Sequence, residues 1–155
     1  MDETVLHVAG RLQYAYRALD EDGPVVDVYV SPTRDAAAAT AFCARAIEGA
    51  DERPERVTTD KAAGYPPALR TVLPAAEHVT GKLVQHRIER DHQPLEGRTR
   101  PMRGFKSRRS AGLVCRGHAL LRNLRDGYYD VGEQAMTRGE RLRVAWAELT
   151  VLLAA

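Results

Sequence analysis

Three β-rich runs, TVLHVA, LQYAYRAL and VVDVYV, fill residues 4–30 with only Gly10-Arg11 and DEDGP between them. Short breaks of this kind join antiparallel neighbours, so the chain opens with a strand meander whose first hairpin turns around Gly10 and Arg11. Side chains alternate across a strand with a period of two, so Tyr14, Tyr16 and Ala18 share one face of the second run.

Beyond the third run, helix and strand alternate. Ser31 can cap a helix with Pro32 at its first position. Ala38, Ala41, Phe42 and Ala46 form its apolar stripe, and it ends near Gly49. ERVTT reads as a fourth strand, ALRTVL as a short helix and EHVT as a short fifth strand. From Leu83 the chain reads as helical, with breaks at Pro94 and Pro101. A last helix carries Leu142, Ala145, Trp146, Leu149 and Leu152 on one side. The expected architecture is α/β, a mixed five-stranded sheet flanked by helices with a helical C-terminal extension.

A chain of 155 residues suits one domain with a real core, and 44% hydrophobic and 28% charged residues are globular values. Cys43 and Cys115 form no CxxC pair, which argues against a metal knuckle or a disulfide framework, and they read as reduced, buried and inert. No apolar run approaches the roughly 20 residues of a membrane span. The opening MDETVLHV lacks the basic and apolar regions of a signal peptide, so the expected location is cytoplasmic.

The net charge of +2 hides an uneven distribution. Residues 1–85 sum to −4, residues 86–125 to +8 and residues 126–155 to −2. A solvated helix face usually mixes both signs, whereas one contiguous basic block suits the phosphates of a nucleic acid. Within that block Glu89 and Asp91 precede the run from Arg98 to Arg109 in HRIERDHQPLEGRTRPMRGFKSRR.

Three acids stand out, each with a plain alternative. Asp60 closes the fourth strand, at the carboxyl edge where open α/β sheets place their sites, but it could equally cap a helix. Asp2 starts the first strand, where it could be a solvated terminus. Glu89 borders an apolar helix face, where it could pair with Arg87 or Arg90. His86, Glu89 and His92 are spaced H-x-x-E-x-x-H, which is neither zinc-protease motif. Tyr128 and Tyr129 beside Gly127 could stack bases or simply pack in a turn.

The stretches MDET, RALDEDG, SPTRDA, VTTDKA, HRIERDH, RTRPMRGFKS and RSA, in this order, resemble the catalytic domain of DDE transposases. The resemblance is closest to bacterial and archaeal insertion sequences of the family numbered six, and it runs from Asp2 to about Arg125. It implies an RNase-H-like, or retroviral-integrase-like, fold over residues 1–126, with residues 127–155 as the helical extension. It implies Asp2, Asp60 and Glu89 as a catalytic, metal-binding triad for Mg²⁺ or Mn²⁺. For DNA it implies Lys61, His92, Arg98, Arg100, Arg103, Lys106, Arg108 and Arg109. The partners it implies are insertion-sequence ends, target DNA and a second copy of the chain, with neither a membrane nor a small-molecule substrate, and a nucleoid-associated location.

Such chemistry explains the residue types. Cleaving and joining phosphodiesters requires activating a water or a 3′-hydroxyl and stabilising the leaving oxygen, which two hard cations can do together. Mg²⁺ prefers oxygen ligands and keeps several waters, so a few carboxylates suffice. Clustered acids repel one another until a cation binds. Arginines and lysines then anchor the DNA backbone without reading bases.

The chain departs from the family's pattern in places. Met1 immediately precedes Asp2, so the usual N-terminal helix-turn-helix region is expected to be absent. Gln85-His86 replaces a usual Asn pair, Glu96 stands where a Lys is usual, and the Asp60-to-Glu89 interval is short. Two other readings therefore stay open: a catalytically inert DNA-binding remnant, and a small RNase-H-like nuclease without a role in transposition.

Overall fold

The computed structural model describes residues 1–50, 52–80, 95, 97, 99–129 and 137–154. Strands β1 (Asp2–Val8), β2 (Arg11–Leu19) and β3 (Val25–Ser31) form the expected meander, antiparallel in the order β1-β2-β3. Val8 pairs with Arg11, leaving Ala9 and Gly10 as a two-residue turn with φ of 50° and 73°. Positive φ at both central residues is what a twisted two-residue hairpin requires.

Helix α1 spans Ala36–Glu48, β4 Arg56–Thr59, α2 Tyr65–Val72 and β5 Glu77–Thr80. β4 and β5 pair in parallel, with α2 in the connection between them. Beyond them lie a 3₁₀ turn at Arg100–Met102 and two helices, here α3 (Arg108–Asp126) and α4 (Arg138–Ala154). The mixed α/β class holds. Among the described residues, however, the strands form a three-stranded and a two-stranded sheet rather than one sheet of five. The two approach where the Met1 amine donates to the Thr58 carbonyl at 2.7 Å.

The meander is covered on both faces. Tyr16 and Ala18 pack with Phe42, Ala46, Tyr65 and Leu69 of α1 and α2. Leu6, Val8, Ala15, Val28 and Val30 pack with Leu95, Phe105, Ala111, Cys115 and Ala119. Asn123 of α3 fixes that second layer, because its side-chain amide donates to the Val25 carbonyl and accepts from the Val25 amide, both at 2.9 Å.

Three expectations need correcting. Helix α1 is capped by Asp35, not Ser31: Asp35 Oδ1 accepts from the Ala38 amide at 2.8 Å, while Ser31 still belongs to β3 and its hydroxyl accepts from the Thr33 amide. The later start rotates the buried stripe to Ala38, Ala39, Phe42, Cys43 and Ala46, leaving Ala41 exposed. Trp146 is 61% exposed although Ala145 beside it is buried. The helical segment read from Leu83 to Pro94 lies outside the described residues, and no described helix is long and apolar enough to cross a membrane.

Candidate metal centre

The contact between Met1 and Thr58 lays the first residue of β1 beside the end of β4. Asp2 opens β1, and Asp60 follows the last residue of β4. Asp60 does not cap α2, whose N-cap is Gly64; its Oδ1 instead accepts from the Ala62 amide at 3.0 Å, an Asx turn that fixes the carboxylate. One carboxylate oxygen from each of Asp2, Glu3 and Asp60 lies within 4.8 Å of the others.

Arg34, in the loop between β3 and α1, bridges this cluster. Its Nε donates to Glu3 Oε1, and its Nη2 lies 3.5 Å from Asp60 Oδ2. The Glu3 side chain is only 4% exposed and Asp60 14%, whereas Arg34 is 50% exposed. Bonding to Glu3 raises the Arg34 pKa further. Glu3 Oε2 and the Tyr65 hydroxyl are both buried, and the phenol interacts with the Glu3 carboxylate, although neither atom completes a hydrogen bond of normal geometry. Burial first, and then the charge of Glu3, pushes the Tyr65 phenol well above its ordinary value and the Tyr16 phenol up to about 12. Both phenols therefore stay neutral beside the acids.

Glu3, Tyr16, Arg34, Asp60 and Tyr65 line an open cavity of about 630 Å³, together with Lys61. Its donors are carboxylate oxygens, which suit a hard divalent cation such as Mg²⁺ or Mn²⁺. Two oxygens held about 2.1 Å from one Mg²⁺ stand at most about 4.2 Å apart, close to the span of this cluster. Glu3 Oε2, buried and without a hydrogen bond of normal geometry, keeps acceptor capacity in reserve. The donor set fits a cation.

Glu89 and His92 lie outside the described residues, as do Arg98 and Glu96. Lys61 is exposed and lines the same cavity as Asp60. Arg100 starts the 3₁₀ turn, and Arg103, Lys106, Arg108 and Arg109 are exposed. Arg108 and Arg109 line a second concavity of about 320 Å³ with Arg45, Arg116 and Tyr29, separate from the acidic one. The RTRPMRGFKS stretch also has a structural job. Phe105 is buried, bridges Val8, and exchanges backbone hydrogen bonds with His7 and Ala9 at 2.8 and 2.7 Å.

Tyr128 and Tyr129 are both exposed, and the Tyr128 hydroxyl donates to the Asp22 carbonyl at 3.0 Å. Both cysteines are free and buried, and burial pushes each thiol up to about 11. Sequence reasoning missed Glu3 and Arg34. The only signal was their place inside MDET and SPTRDA, two of the stretches that carry the family resemblance.

A family model described as a DDE domain matches residues 1–128. The transposase for insertion sequence-like element IS431mec of Staphylococcus aureus is 30% identical over 122 residues, covering 74% of this chain and 54% of that protein. The transposase for insertion sequence element IS257 in transposon Tn4003, also from Staphylococcus aureus, matches to the same extent. The chain thus spans about half the length of these relatives. A chain of the simian T-cell lymphotropic virus intasome in complex with PP2A regulatory subunit B56 gamma aligns at a TM-score of 0.45 and 20% identity, covering 93% of this chain and 44% of that one.

Proposed function

This chain belongs to the DDE transposases of the insertion-sequence family numbered six, and on that premise we propose that it is the catalytic portion of an enzyme that cuts and joins DNA. The observation that carries the reading is the meeting of Asp2 and Asp60, 58 positions apart in sequence, with carboxylate oxygens within 4.8 Å. Residues 1–126 form the catalytic unit and residues 127–155 its helical extension. Two copies acting on two element ends, in the cytoplasm at the nucleoid, complete the proposal.

Asp2 and Asp60 would hold Mg²⁺ or Mn²⁺, with Glu89 as the third carboxylate by the family's pattern. A divalent cation there supplies Lewis-acid activation of a water or 3′-hydroxyl and neutralises charge at the leaving oxygen. The chain's own groups do the rest. The Asx turn holds Asp60 in place before substrate arrives, so little reorganisation is needed. Tyr16 and Tyr65 wall the site with phenols that stay neutral, adding no charge to repel phosphate. Lys61, at the cavity lining, is within the reach of a flexible side chain from any phosphodiester presented to Asp60. Arg103, Lys106, Arg108 and Arg109 hold the backbone farther along, without base readout.

The test is conversion of supercoiled plasmid to open circles with Mg²⁺ or Mn²⁺, followed by joining of a 3′-hydroxyl end to target DNA. Nicking that requires the metal and is lost in Asp60→Asn supports the reading. Nicking that persists with a chelator, or in Asp60→Asn, overturns it.

A further inference from the structure

Arg34 takes no part in that chemistry, yet its guanidinium contacts both Glu3 and Asp60 at the site. Its two contacts are unequal. Nε hydrogen-bonds Glu3 Oε1, on a carboxylate that is almost wholly buried, while Nη2 only reaches the more exposed Asp60 Oδ2 at 3.5 Å. Glu3 therefore anchors the guanidinium, and Asp60 is its loose end. The carboxylates of Asp2, Glu3 and Asp60 share two cations, Arg34 and the Met1 ammonium, so the cluster has more acidic groups than counter-ions even with Arg34 in place. Half of the Arg34 side chain is exposed, so the loose end has room to move among the described residues.

We propose that Arg34 is a built-in counter-ion, anchored by Glu3, that a divalent cation must displace from Asp60, so that Arg34 sets how tightly the site takes its metal. This rests on the reading of Asp60 as a metal ligand. The guanidinium neutralises part of the carboxylate cluster when no metal is bound and then stands beside the incoming ion as a like charge. Both effects weaken metal binding. The benefit is a cluster of acids that stays folded without metal, because clustered carboxylates otherwise repel one another.

Binding of Mn²⁺ to the full chain, followed by loss of the free ion's electron paramagnetic resonance signal, tests this without any need for turnover. Arg34→Gln should bind Mn²⁺ about tenfold more tightly than the parent, the effect of removing one nearby like charge. Its metal-free melting temperature should fall, since Glu3 loses its partner. Arg34→Lys keeps the charge and can reach Glu3, but it lacks the second arm to Asp60. It should shift affinity the same way by about threefold, and it serves as the measurement if the Gln variant does not fold. Asp60→Asn separates the two readings. If Asp60→Asn abolishes Mn²⁺ binding while the Arg34 variants bind as the parent does or more weakly, the counter-ion proposal falls and the metal site stands. If Asp60→Asn binds Mn²⁺ as the parent does, both fall.

Discussion

At Asp60 the backbone and the charge can be separated. Asn keeps an oxygen for the Ala62 amide, so Asp60→Asn should preserve the Asx turn and the fold while removing one charge from the proposed metal site. Metal contacts supply several kcal/mol to such reactions, so nicking should fall by about 10³-fold or more with an unchanged melting curve. A parallel loss of folded structure would show instead that Asp60 is structural. Asp2 and Asp60 could be singled out from the sequence because their motif stretches are short and ordered, and their carboxylates do lie together. Glu3 could not be, because strand alternation argues for sending it away from its neighbour Asp2, and Arg34 could not be, because no local pattern marks a loop arginine as a partner of Glu3. The two thiols give a second residue-level prediction. Below their ordinary pKa of 9 they are neutral in folded and unfolded chains alike; between 9 and about 11 only the unfolded chain loses the proton. Stability present below pH 9 is therefore lost as pH rises towards 11, at up to about 1.4 kcal/mol per pH unit for each thiol. Urea midpoints between pH 8 and 10 should fall less steeply in a Cys43→Ala, Cys115→Ala variant, and an equal slope would show that the thiols are not responsible.

At the level of elements, the meander and the β4–α2–β5 unit could be read directly, because period-two alternation and turn residues are local signals. The start of α1 could not. Ser31 and Asp35 are both acceptable caps, and Ser31 is claimed by its pairing with Tyr14 across the sheet. The basic RTRPMRGFKS segment was read through its charge, which concealed its packing. Arg103 and Gly104 adopt φ of 53° and 101°, turning the chain so that Phe105 enters the core while Lys106 stays outside. A Cβ on Gly104 would stand 2.9 Å from the His7 carbonyl oxygen, and the φ itself is one that L side chains rarely adopt. Gly104→Ala should thus cost about 2–3 kcal/mol, lowering the urea midpoint with little change in slope. A midpoint matching the parent's would mean that this segment does not pin β1. DNA binding measured on the folded variant should weaken as well, because Arg103 and Lys106 depend on the same turn for their placement.

Over the whole molecule, charge and fold divide the work. The N-terminal part, at −4, supplies the meander and the acids, while the block from 86 to 125, at +8, supplies the cations, and the meeting of β1 with β4 determines where the acids gather. Composition alone revealed this asymmetry; which cations share a face was not legible, since that depends on how α3 docks. The structure sets Arg108 and Arg109 with Arg45 and Arg116 around one concavity and Lys61 in another, so the basic residues form more than one patch. Arg45 is already engaged by Asp27 at 3.1 and 3.2 Å, which reduces what it can offer a phosphate. A duplex crossing the remaining exposed cations should neutralise about four phosphates, so the logarithm of its affinity should fall against the logarithm of salt with a slope of roughly −3.6. Binding should be indifferent to sequence, because phosphate contacts position a duplex without specifying it. Replacing Arg108 and Arg109 together with Ala should bring the slope close to −1.8 if each neutralises one phosphate, about 0.9 per contact. A parent slope near zero would show that the basic block does not bind DNA, and an unchanged slope in the double variant would place the duplex on the Lys61 side of the domain instead.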